Sequence, residues 1–493
     1  MDYSPKTIYL FHPSLRFRKE SHRCMLYEID DFFHTADKLS VISPTEVILL
    51  MLFDGTRTYA TAEKDFRYLY DIRDTCSFSI GRALNNLEHR TRISPLIVPI
   101  EQLSQHEIHE TVSRYPNPEE FLIKESELKL DYNDLRISGP LSVNYNVMTQ
   151  CGFSCKYCYH PLILIQELIS LERLSDLFVE LKNLGCESVL LTGGDPMLRP
   201  DIDEIMRMLH ISGLFYTLST KSILEKKRLQ WLYDEAGLDR MQLSLDSCDS
   251  AVVSRLIGVD HGYLSRFTQM VKDMQEIGMD IRLKAVLTSY NADGIGDFLS
   301  YAEGLGIRHV QIVGYGRSGT RHSDSLFPSA DQAAKASEIV AKWKLMHPEM
   351  GIVGGEYGAT YDEPIELDDI PDLDMFAKRT ICNAGRFSMT LLPNGEVYIC
   401  EHLPYDKKFV IGDIRTQSLT DWWNGEQLQQ WLSPPVRSFF PEGSPCRHCE
   451  EKFYSICHTR YSRCLRFIRE LTGRVDGPDI HCPRSLFPRT RST

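Results

Sequence analysis

The sequence predicts an α/β protein with additional modules at both ends. From about residue 140, strand-like segments such as "SVLLT" and "MQLSLD" alternate with helix-like segments such as "LERLSDLFVELKNLG". Six such strands alternating with helices indicate parallel β/α units, arranged as an open sheet or as a partial barrel. Folds of this kind bind their ligands at the C-terminal ends of the strands. The predicted strands lie at residues 141–147, 188–192, 215–220, 241–246, 281–288 and 309–315.

The first hundred residues predict a smaller module in which strands are followed by helices. The stretch "SPTEVILLMLF" opens a helix with Ser43 as N-cap, Pro44 at the first helical position and Glu46 completing a capping box. After a turn at "FDGT", two further segments have helical periodicity. Three strands followed by three helices describe a winged-helix-like module. Its predicted strands lie at residues 15–20, 24–30 and 38–43.

Composition and charge argue against several classes of protein. The chain has 493 residues, 14 cysteines and a formal net charge of -13. Its longest apolar run, "VILLMLF", is too short to span a membrane, and its start lacks the pattern of a signal peptide. We therefore expect a soluble, cytoplasmic protein, in which cysteines serve metal binding better than disulfides.

A nucleic-acid partner is disfavoured by the same charges. Phosphate binding requires a basic face. The winged-helix-like module carries 13 Lys and Arg against 13 Asp and Glu through residue 92, so the DNA-binding role common for such modules is not supported.

Three closely spaced cysteines follow the first strand of the β/α region. They are Cys151, Cys155 and Cys158 in "MTQCGFSCKYCYHP", on a loop where such folds place their chemistry. Three thiolates can hold three corners of a cubane iron–sulfur cluster and leave the fourth iron open. The alternative is a structural zinc site, for which His160 could be the fourth ligand.

The motif Cx3CxφC, in which φ is the aromatic Tyr157, resembles that of the radical S-adenosylmethionine (SAM) superfamily. The resemblance implies that the fold is a partial (β/α)6 barrel, that the three cysteines bind a 4Fe–4S cluster, and that SAM chelates the open iron. The remaining residues that match the family's SAM contacts follow the strands. They are Gly193, Gly194, Asp195 and Pro196 after the second, Ser219 at the end of the third, and Ser244 and Asp246 at the end of the fourth, with Lys284 on the fifth as a weaker candidate.

Seven more cysteines lie in the last hundred or so residues. Their order, Cx12Gx4C, then CxxCx7Cx6C, then a final cysteine, resembles the SPASM extension of radical SAM enzymes that modify peptides and proteins. One or two zinc knuckles are the alternative. The resemblance implies two auxiliary 4Fe–4S clusters, hence three clusters in all. By position, Cys446, Cys449, Cys457 and Cys482 would bind one auxiliary cluster, and Cys382, Cys400 and Cys464 the other.

Two four-ligand clusters need eight cysteines, and this region has seven. The stretch 372–381, where some relatives supply the eighth, contains none. The Cys382 cluster would then keep an open iron that binds a substrate thiolate. One of the remaining cysteines (Cys24, Cys76, Cys186 or Cys248), an aspartate (Asp372 or Asp374) or water could close it instead.

The N-terminal pattern resembles the peptide-recognition modules of ribosomal peptide natural-product pathways. The resemblance implies that the leader of a precursor peptide adds as a strand to the small sheet. For the radical SAM chemistry we also expect an electron donor such as flavodoxin or ferredoxin. The charge and the lack of a long apolar run predict no nucleic acid or membrane as partner.

The whole pattern predicts a radical SAM maturase that cross-links a precursor peptide, most simply through thioether bonds. Carbon–carbon cross-linking, another oxidative modification, maturation of a folded enzyme and a non-catalytic metal-binding regulator are the alternatives. The predicted organisation is a recognition module at residues 1–100, a linker at 101–137, the barrel at 138–320, a bridging region at 321–375 and the SPASM domain at 376–493.

Overall fold

A computed structural model shows how these segments fold. The structure describes residues 3–30, 32, 36–73, 76–115, 117–124, 126–132, 134–160, 165, 167–316, 321–355, 357–361, 381–479, 482, 484 and 489–492. They form two units, Met1–Ser138 and Gly139–Thr493. Within the described part of the chain, no helix has both the length and the apolar character needed to cross a membrane.

The first unit contains two small antiparallel sheets and the helices packed on them. Its elements are β1 (Ile8–Phe11), β2 (Leu15–Lys19), β3 (Cys24–Ile29), β4 (Ala36–Ile42), α1 (Pro44–Met51), β5 (Asp54–Thr58), α2 (Tyr59–Leu69), α3 (Ile80–Thr91), β6 (Ile97–Pro99) and α4 (Gln105–Ser113). The strand orders are β2–β3–β4 and β5–β1–β6.

The predicted strands β2, β3 and β4 and the helices α1, α2 and α3 are confirmed. At the start of α1, the Glu46 N–H donates to the Ser43 hydroxyl at 3.2 Å and the Ser43 N–H donates to the Glu46 carboxylate at 2.7 Å, which is the predicted capping box. The stretch "FDGT" runs into β5, which begins at Asp54 and pairs with β1. The predicted bend is present within this strand, because Gly55 has φ of +80° and the Asp54 carboxylate accepts from the Thr56 N–H at 2.9 Å. The three to five residues of β1, β5 and β6 are too few to show a periodic pattern.

The predicted linker at 101–137 is also corrected. The structure places α4 inside it, and the segment as far as Ser138 belongs to the first unit. The Tyr115 hydroxyl donates to the Phe53 carbonyl at 2.6 Å, and Phe121 is buried in the core of the unit. The segment looks like a linker because most of its side chains are polar, but its few aromatic residues attach it to the module.

The second unit begins with the predicted β/α region. Its elements are β7 (Ser142–Met148), α5 (Leu171–Asn183), β8 (Ser188–Gly193), α6 (Ile202–Ser212), β9 (Phe215–Thr220), α7 (Lys226–Asp234), β10 (Arg240–Ser244), α8 (Ser250–Ile257), α9 (Tyr263–Ile277), β11 (Asp280–Leu287), α10 (Ile295–Gly304), β12 (His309–Gly314), α11 (Ala330–Met346) and β13 (Gly351–Val353). Strands β7 to β12 are consecutive parallel neighbours, as predicted. Their apolar side chains are buried because helices cover the sheet.

The β/α alternation continues one unit beyond the predicted end near residue 320. Helix α11 follows β12, and β13 then pairs with β12 in parallel. The prediction fails here because a three-residue strand with one buried side chain, Ile352, shows no pattern. Residues 362–375 of the predicted bridging region lie outside the described residues.

The cysteine-rich region extends the same sheet from its other edge. Its elements are β14 (Tyr357–Tyr361), β15 (Ser388–Leu391), β16 (Glu396–Tyr398), β17 (Val410–Asp413), α12 (Leu419–Asn424), α13 (Glu426–Leu432), α14 (Glu451–Ile456), α15 (Leu465–Thr472) and β18 (Arg489–Ser492). Strand β15 pairs in parallel with β7, and β16 and β17 continue antiparallel, so the sheet runs β13–β12–β11–β10–β9–β8–β7–β15–β16–β17. The Cys382–Cys400 segment thus forms a hairpin beside β7, the strand that leads into the loop with the first three cysteines.

Candidate active site

Cys151, Cys155 and Cys158, hereafter the loop cysteines, lie on the loop after β7. All three line a cavity of about 380 Å³ at the C-terminal ends of the strands. Cys155 is buried, and Cys151 is exposed. The position is the one predicted for a ligand site in a β/α fold.

Side chains from five consecutive strands, β8 to β12, line this single cavity. In a flat sheet these strands would spread over about 19 Å, because neighbouring strands lie about 4.8 Å apart. The sheet must therefore curve around the cavity. This curvature is what a partial barrel requires, and it lets residues distant in sequence face one ligand.

Gly193 and Gly194 bring the end of β8 against the cysteine loop. A Cβ at Gly193 would lie 2.3 Å from the Met148 carbonyl oxygen, and one at Gly194 would lie 2.0 Å from that of Gln150. The gap is closed by backbone hydrogen bonds, from the Gly194 N–H to Met148 at 2.7 Å and from the Asp195 N–H to Gln150 at 2.8 Å. In this structure the glycines therefore allow two backbone segments to meet, and so hold the base of the loop.

Asp195 is buried and its carboxylate is bonded within the protein. It accepts hydrogen bonds from the Thr220 hydroxyl at 2.8 Å and the Ser222 hydroxyl at 2.7 Å. It also caps the short turn that starts at Pro196, which is buried behind the cavity. The sequence carries no signal for Thr220 and Ser222, because hydroxyl residues are common after strands.

Tyr157 and Asp246 form the central polar contact of the site. The Tyr157 hydroxyl donates to the Asp246 carboxylate, which also accepts from the Val286 N–H at 2.9 Å. The Lys221 ammonium lies 5.6 Å from the centre of the Tyr157 ring. Burial raises the pKa of Asp246 although the charge of Lys221 opposes the shift. Lys221 is a further site residue for which the sequence carries no signal beyond its position after β9.

Ser219, Ser244 and Lys284 also line the cavity. The Ser219 hydroxyl accepts a hydrogen bond from the Gln242 amide at 2.7 Å, which shows a structural use of this side chain. Lys284 lies opposite Ser244 in the register of β10 and β11. The structure thus brings together every predicted SAM contact except Pro196, which stands behind the lining.

The spacing of the donor atoms is wider than a tetrahedral zinc site requires. In a tetrahedral site with Zn–S bonds near 2.3 Å, the sulfurs would be about 3.8 Å apart. Among the described residues, no three ligand atoms from the loop cysteines and His160 lie within 4.8 Å of one another. A cubane, in which each thiolate binds a different iron, needs the wider spacing. Burial raises the pKa of Cys155 to about 11, so ligand binding there must also remove a proton.

Cys382, Cys400 and Cys464, hereafter the cavity cysteines, line a second cavity of about 650 Å³. Burial raises the pKa of Cys400 to about 12, and the proximity of Cys382 and Cys464 adds to the shift. Gly395, at the turn of the β15–β16 hairpin, has φ of +85°, a conformation suited to glycine. The hairpin brings Cys400 back toward Cys382.

Cys446, Cys449, Cys457 and Cys482, hereafter the tetrad, form a separate group. Cys446 and Cys449 pack with Phe440 and Tyr454 in one small core. Burial raises the pKa of Cys446 to about 12, with contributions from Cys482 and Cys457. The seven cysteines thus lie in one group of three and one group of four, and the binding of a cluster by each group stays a prediction.

The first cavity also receives residues from the cysteine-rich region. The Tyr159 and His402 rings are in contact, with centroids 4.5 Å apart and planes tilted by 49°, which joins the segment after Cys158 to the segment after Cys400. Arg466 lines both cavities, so the two are neighbours. These residues lie more than 240 positions from Tyr159 in the sequence, and only the β7–β15 pairing shows that they meet.

Three thiols around a polar cavity at the mouth of a curved parallel sheet, with two more cysteine groups beside it, define a protein that holds iron–sulfur clusters. Residues 145–300 match the model of the radical SAM superfamily, and residues 382–450 match that of SPASM, an iron–sulfur cluster-binding domain. The chain therefore contains a radical SAM domain and a SPASM domain.

Two curated relatives and one solved structure illustrate the similarity. The chain is 26% identical over 363 residues to a PqqA peptide cyclase of Gluconobacter oxydans, covering 71% of this chain and 92% of the relative. It is 27% identical over 363 residues to that of Ruegeria pomeroyi, covering 71% and 89%. The crystal structure of Streptococcus suis SuiB bound to S-adenosylmethionine superposes with a TM-score of 0.57 at 17% identity, over 96% of this chain and 99% of SuiB. That structure shows a shared fold.

Proposed function

We propose that this protein is a radical SAM maturase that joins cysteine sulfur to a carbon atom of another residue in a ribosomally made precursor peptide. Relatives named PqqA peptide cyclase support a peptide cross-linking activity. SuiB, whose fold this chain shares, has also been solved with its precursor peptide SuiA. Three 4Fe–4S clusters, SAM and an electron donor such as flavodoxin or ferredoxin belong to the proposal, as does a cytoplasmic location.

The thioether proposal rests on the residues that line the second cavity. Its described residues include the cavity cysteines and no other cysteine, aspartate or glutamate. Asp372 and Asp374, the carboxylates considered from the sequence, lie outside the described residues. An auxiliary cluster held by the cavity cysteines would then have an iron available to a substrate thiolate. Because Arg466 lines both cavities, that thiolate would lie close to the SAM site.

The chain's own residues have three tasks in this chemistry. The loop cysteines hold the first cluster, and the Tyr157–Asp246 contact with Lys221 shapes the polar wall against which SAM is oriented. Phe467 and the Tyr159–His402 pair close the cavity from the SPASM side, which limits water. When bound, the clusters and SAM supply a 5′-deoxyadenosyl radical that takes the hydrogen atom and an acceptor for the electron that C–S bond formation releases.

Carbon–carbon cross-linking is the second candidate, and His458 favours it. This histidine is buried and lines the second cavity with the cavity cysteines. An imidazole ligand would close the fourth iron, and the cluster would then only carry electrons.

The first unit is proposed to bind the precursor's leader segment. In its β2–β3–β4 sheet the two outer edges are unpaired among the described residues of the unit. Both outer strands have contacts within the unit: Arg18 and Lys19 of β2 donate to the Ser138 hydroxyl and the Leu122 carbonyl, and the Arg90 guanidinium donates to the Val41 carbonyl of β4 at 2.7 Å. We propose that a strand of the peptide pairs with one of these two edges.

The test is co-expression with a short cysteine-containing reading frame encoded beside this chain, followed by mass spectrometry. Each cross-link of either kind removes two hydrogen atoms. Only a thioether also removes a thiol that iodoacetamide can alkylate.

A product that loses hydrogen and keeps every reactive thiol would replace the thioether by the carbon–carbon proposal. Intact SAM in the reconstituted enzyme under dithionite would overturn both. The reconstituted Cys151→Ala chain provides the background for SAM cleavage.

A further inference from the structure

Arg437 lies against the backbone of the CxxC segment of the tetrad. One of its guanidinium nitrogens, Nη1, donates hydrogen bonds to the carbonyl oxygens of Cys449 at 2.6 Å and Cys446 at 3.3 Å. The guanidinium also lies over the Tyr454 ring, 4.1 Å from its centre. Because Tyr454 packs with Cys446 and Cys449 in one small core, the arginine is held on the tetrad by two kinds of contact.

The other side of the Arg437 guanidinium is paired with Glu451. Its Nη2 donates to this carboxylate at 2.8 Å, and the Glu451 side chain is 83% exposed whereas that of Arg437 is 32% exposed. Water and salt screen an exposed carboxylate more strongly than a guanidinium that is bonded to the backbone. The positive end of the pair therefore lies on the side of the cysteines, and the negative end lies on the side of the solvent.

The charge of Arg437 acts on one of the tetrad thiols. Burial raises the pKa of Cys449, and the charges of Arg484 and Arg437 oppose this shift. Arg484 pairs with Glu450 at 3.1 Å, whereas Arg437 is bonded to the carbonyl of Cys449 itself. A positive charge that favours a thiolate over a thiol also favours a cluster that has gained an electron, because both forms carry one more negative charge.

We propose that Arg437 raises the reduction potential of the iron–sulfur cluster held by the tetrad, and so favours electron transfer to this cluster. The proposal rests on the tetrad cluster of the proposed function. Cys446 and Cys449 lie within the residues that match the iron–sulfur cluster-binding domain. The ligands alone do not set the potential of a cluster, which also depends on the net charge and hydrogen bonds around it.

The electron in question is the one that C–S bond formation releases in the proposed function. The peptide is oxidised, the tetrad cluster is reduced by one electron, and its charge becomes more negative by one. Arg437 stabilises that added charge through the backbone of the ligands and is not a ligand itself.

The test is a redox titration of the reconstituted full chain with dithionite, without peptide, followed by electron paramagnetic resonance. The signal of the tetrad cluster is the one that Cys449→Ala removes. Arg437→Gln removes the charge and should lower the ratio of reduced to oxidised tetrad cluster about tenfold at a fixed potential, which is about 59 mV for one electron. Arg437→Lys keeps the charge and should retain most of the wild-type potential.

Two further variants separate the effect of charge from damage to the fold. Glu451→Gln removes the negative partner and should raise the potential. Arg474→Gln removes an exposed arginine that pairs with Asp476, and as the matched control it should leave the potential at the wild-type value. Iron content and the midpoint of unfolding are measured for each variant. A purely structural Arg437 would change these two quantities and leave the potential of the remaining clusters unchanged.

An unchanged potential in Arg437→Gln at full iron content would overturn the proposal, as would shifts of the same sign in Arg437→Gln and Glu451→Gln. If Cys449→Ala removed no signal, the tetrad would hold no cluster, and both this proposal and that part of the proposed function would be wrong. No measurement uses a peptide. Failure of the thioether proposal is therefore distinguishable from failure of this one.

Discussion

The loop cysteines and the cavity cysteines are both groups of three, yet the walls around them differ. The loop cysteines share their cavity with Asp195, Ser219, Lys221 and Asp246, which converge from strand ends. The described lining around the cavity cysteines has no carboxylate but includes Lys408, Arg463 and Arg466. Its apolar residues include Ile399, Phe409, Trp431, Leu432 and Phe439.

The difference shows that the number of thiols does not determine what completes the site. A zwitterion such as SAM needs a wall with polar groups of both signs, and the first cavity has one. A substrate thiolate needs apolar contact for its carbon atoms and no carboxylate beside its charge, which suits the described lining of the second. Both sites have three cysteines, so the number of cysteines does not indicate which fourth ligand each site takes. The residues that line each cavity do.

The largest effect is expected at Cys151, and it distinguishes the loop cysteines from the cavity cysteines. Cys151→Ala should reduce 5′-deoxyadenosine formation to the enzyme-free level, because two thiolates cannot hold the SAM-binding cluster. The assay is anaerobic SAM cleavage under dithionite with chromatographic detection. Cys248→Ala, which removes a cysteine outside the three groups, is the control and should retain activity. SAM cleavage by the Cys151 variant would contradict the cluster assignment.

Cys382→Ala should have a narrower effect. We expect no cross-linked peptide but continued uncoupled SAM cleavage, because the first cavity and the loop cysteines are untouched. Peptide mass spectrometry and 5′-deoxyadenosine measurement on one sample separate the two activities. Cys449→Ala, in the tetrad, should likewise abolish the cross-linked peptide and leave uncoupled SAM cleavage. Unchanged yield of product from either variant would show that its cysteine group is dispensable, and Cys76→Ala serves as the control.

Gly194→Ala should destabilise the protein, because the new methyl group would overlap the Gln150 carbonyl at the base of the cysteine loop. We expect a loss of about 3 kcal/mol or more in the free energy of unfolding, measured by denaturant titration. Gly152→Ala is the matched control in the same loop, since nothing lies within 4 Å of its added Cβ. Equal stability of the two variants would mean that the β8 turn can move away from the loop.

The smallest effect is expected at the polar wall. Asp246→Asn keeps the shape of the side chain but removes the charge that faces Lys221 and the acceptor that Tyr157 uses. We expect SAM affinity to fall about tenfold, measured by equilibrium dialysis, with iron content unchanged. Asp234→Asn, on the exposed surface of α7, should leave SAM affinity at the wild-type value. Wild-type SAM affinity in the Asp246 variant would remove this carboxylate from the site.

The parts of the fold that are predictable from sequence are those with a period or a fixed spacing. The six parallel strands are apolar over five to eight residues, and the cysteine spacings follow family patterns. Both can therefore be recognised from a single sequence. Lys221 and Arg466 are not, because a charged residue after a strand or on a helix looks the same whether it faces water or a cavity. Strands β1, β6 and β13 are missed because three or four residues cannot show an alternation. The linker prediction fails for a similar reason, because single aromatic residues such as Tyr115, which attach the segment to the module, form no periodic pattern.

The parallel pairing of β15 with β7 has a consequence for protein engineering. Residues Ser388 to Leu391 are hydrogen-bonded to Ser142 to Tyr145, the strand that leads into the cysteine loop. The SPASM region is therefore not a cassette that can be exchanged at a loop boundary. A chimera between two such enzymes would have to transplant the β15 edge together with a compatible β7, or it would leave an open strand edge exposed to aggregation.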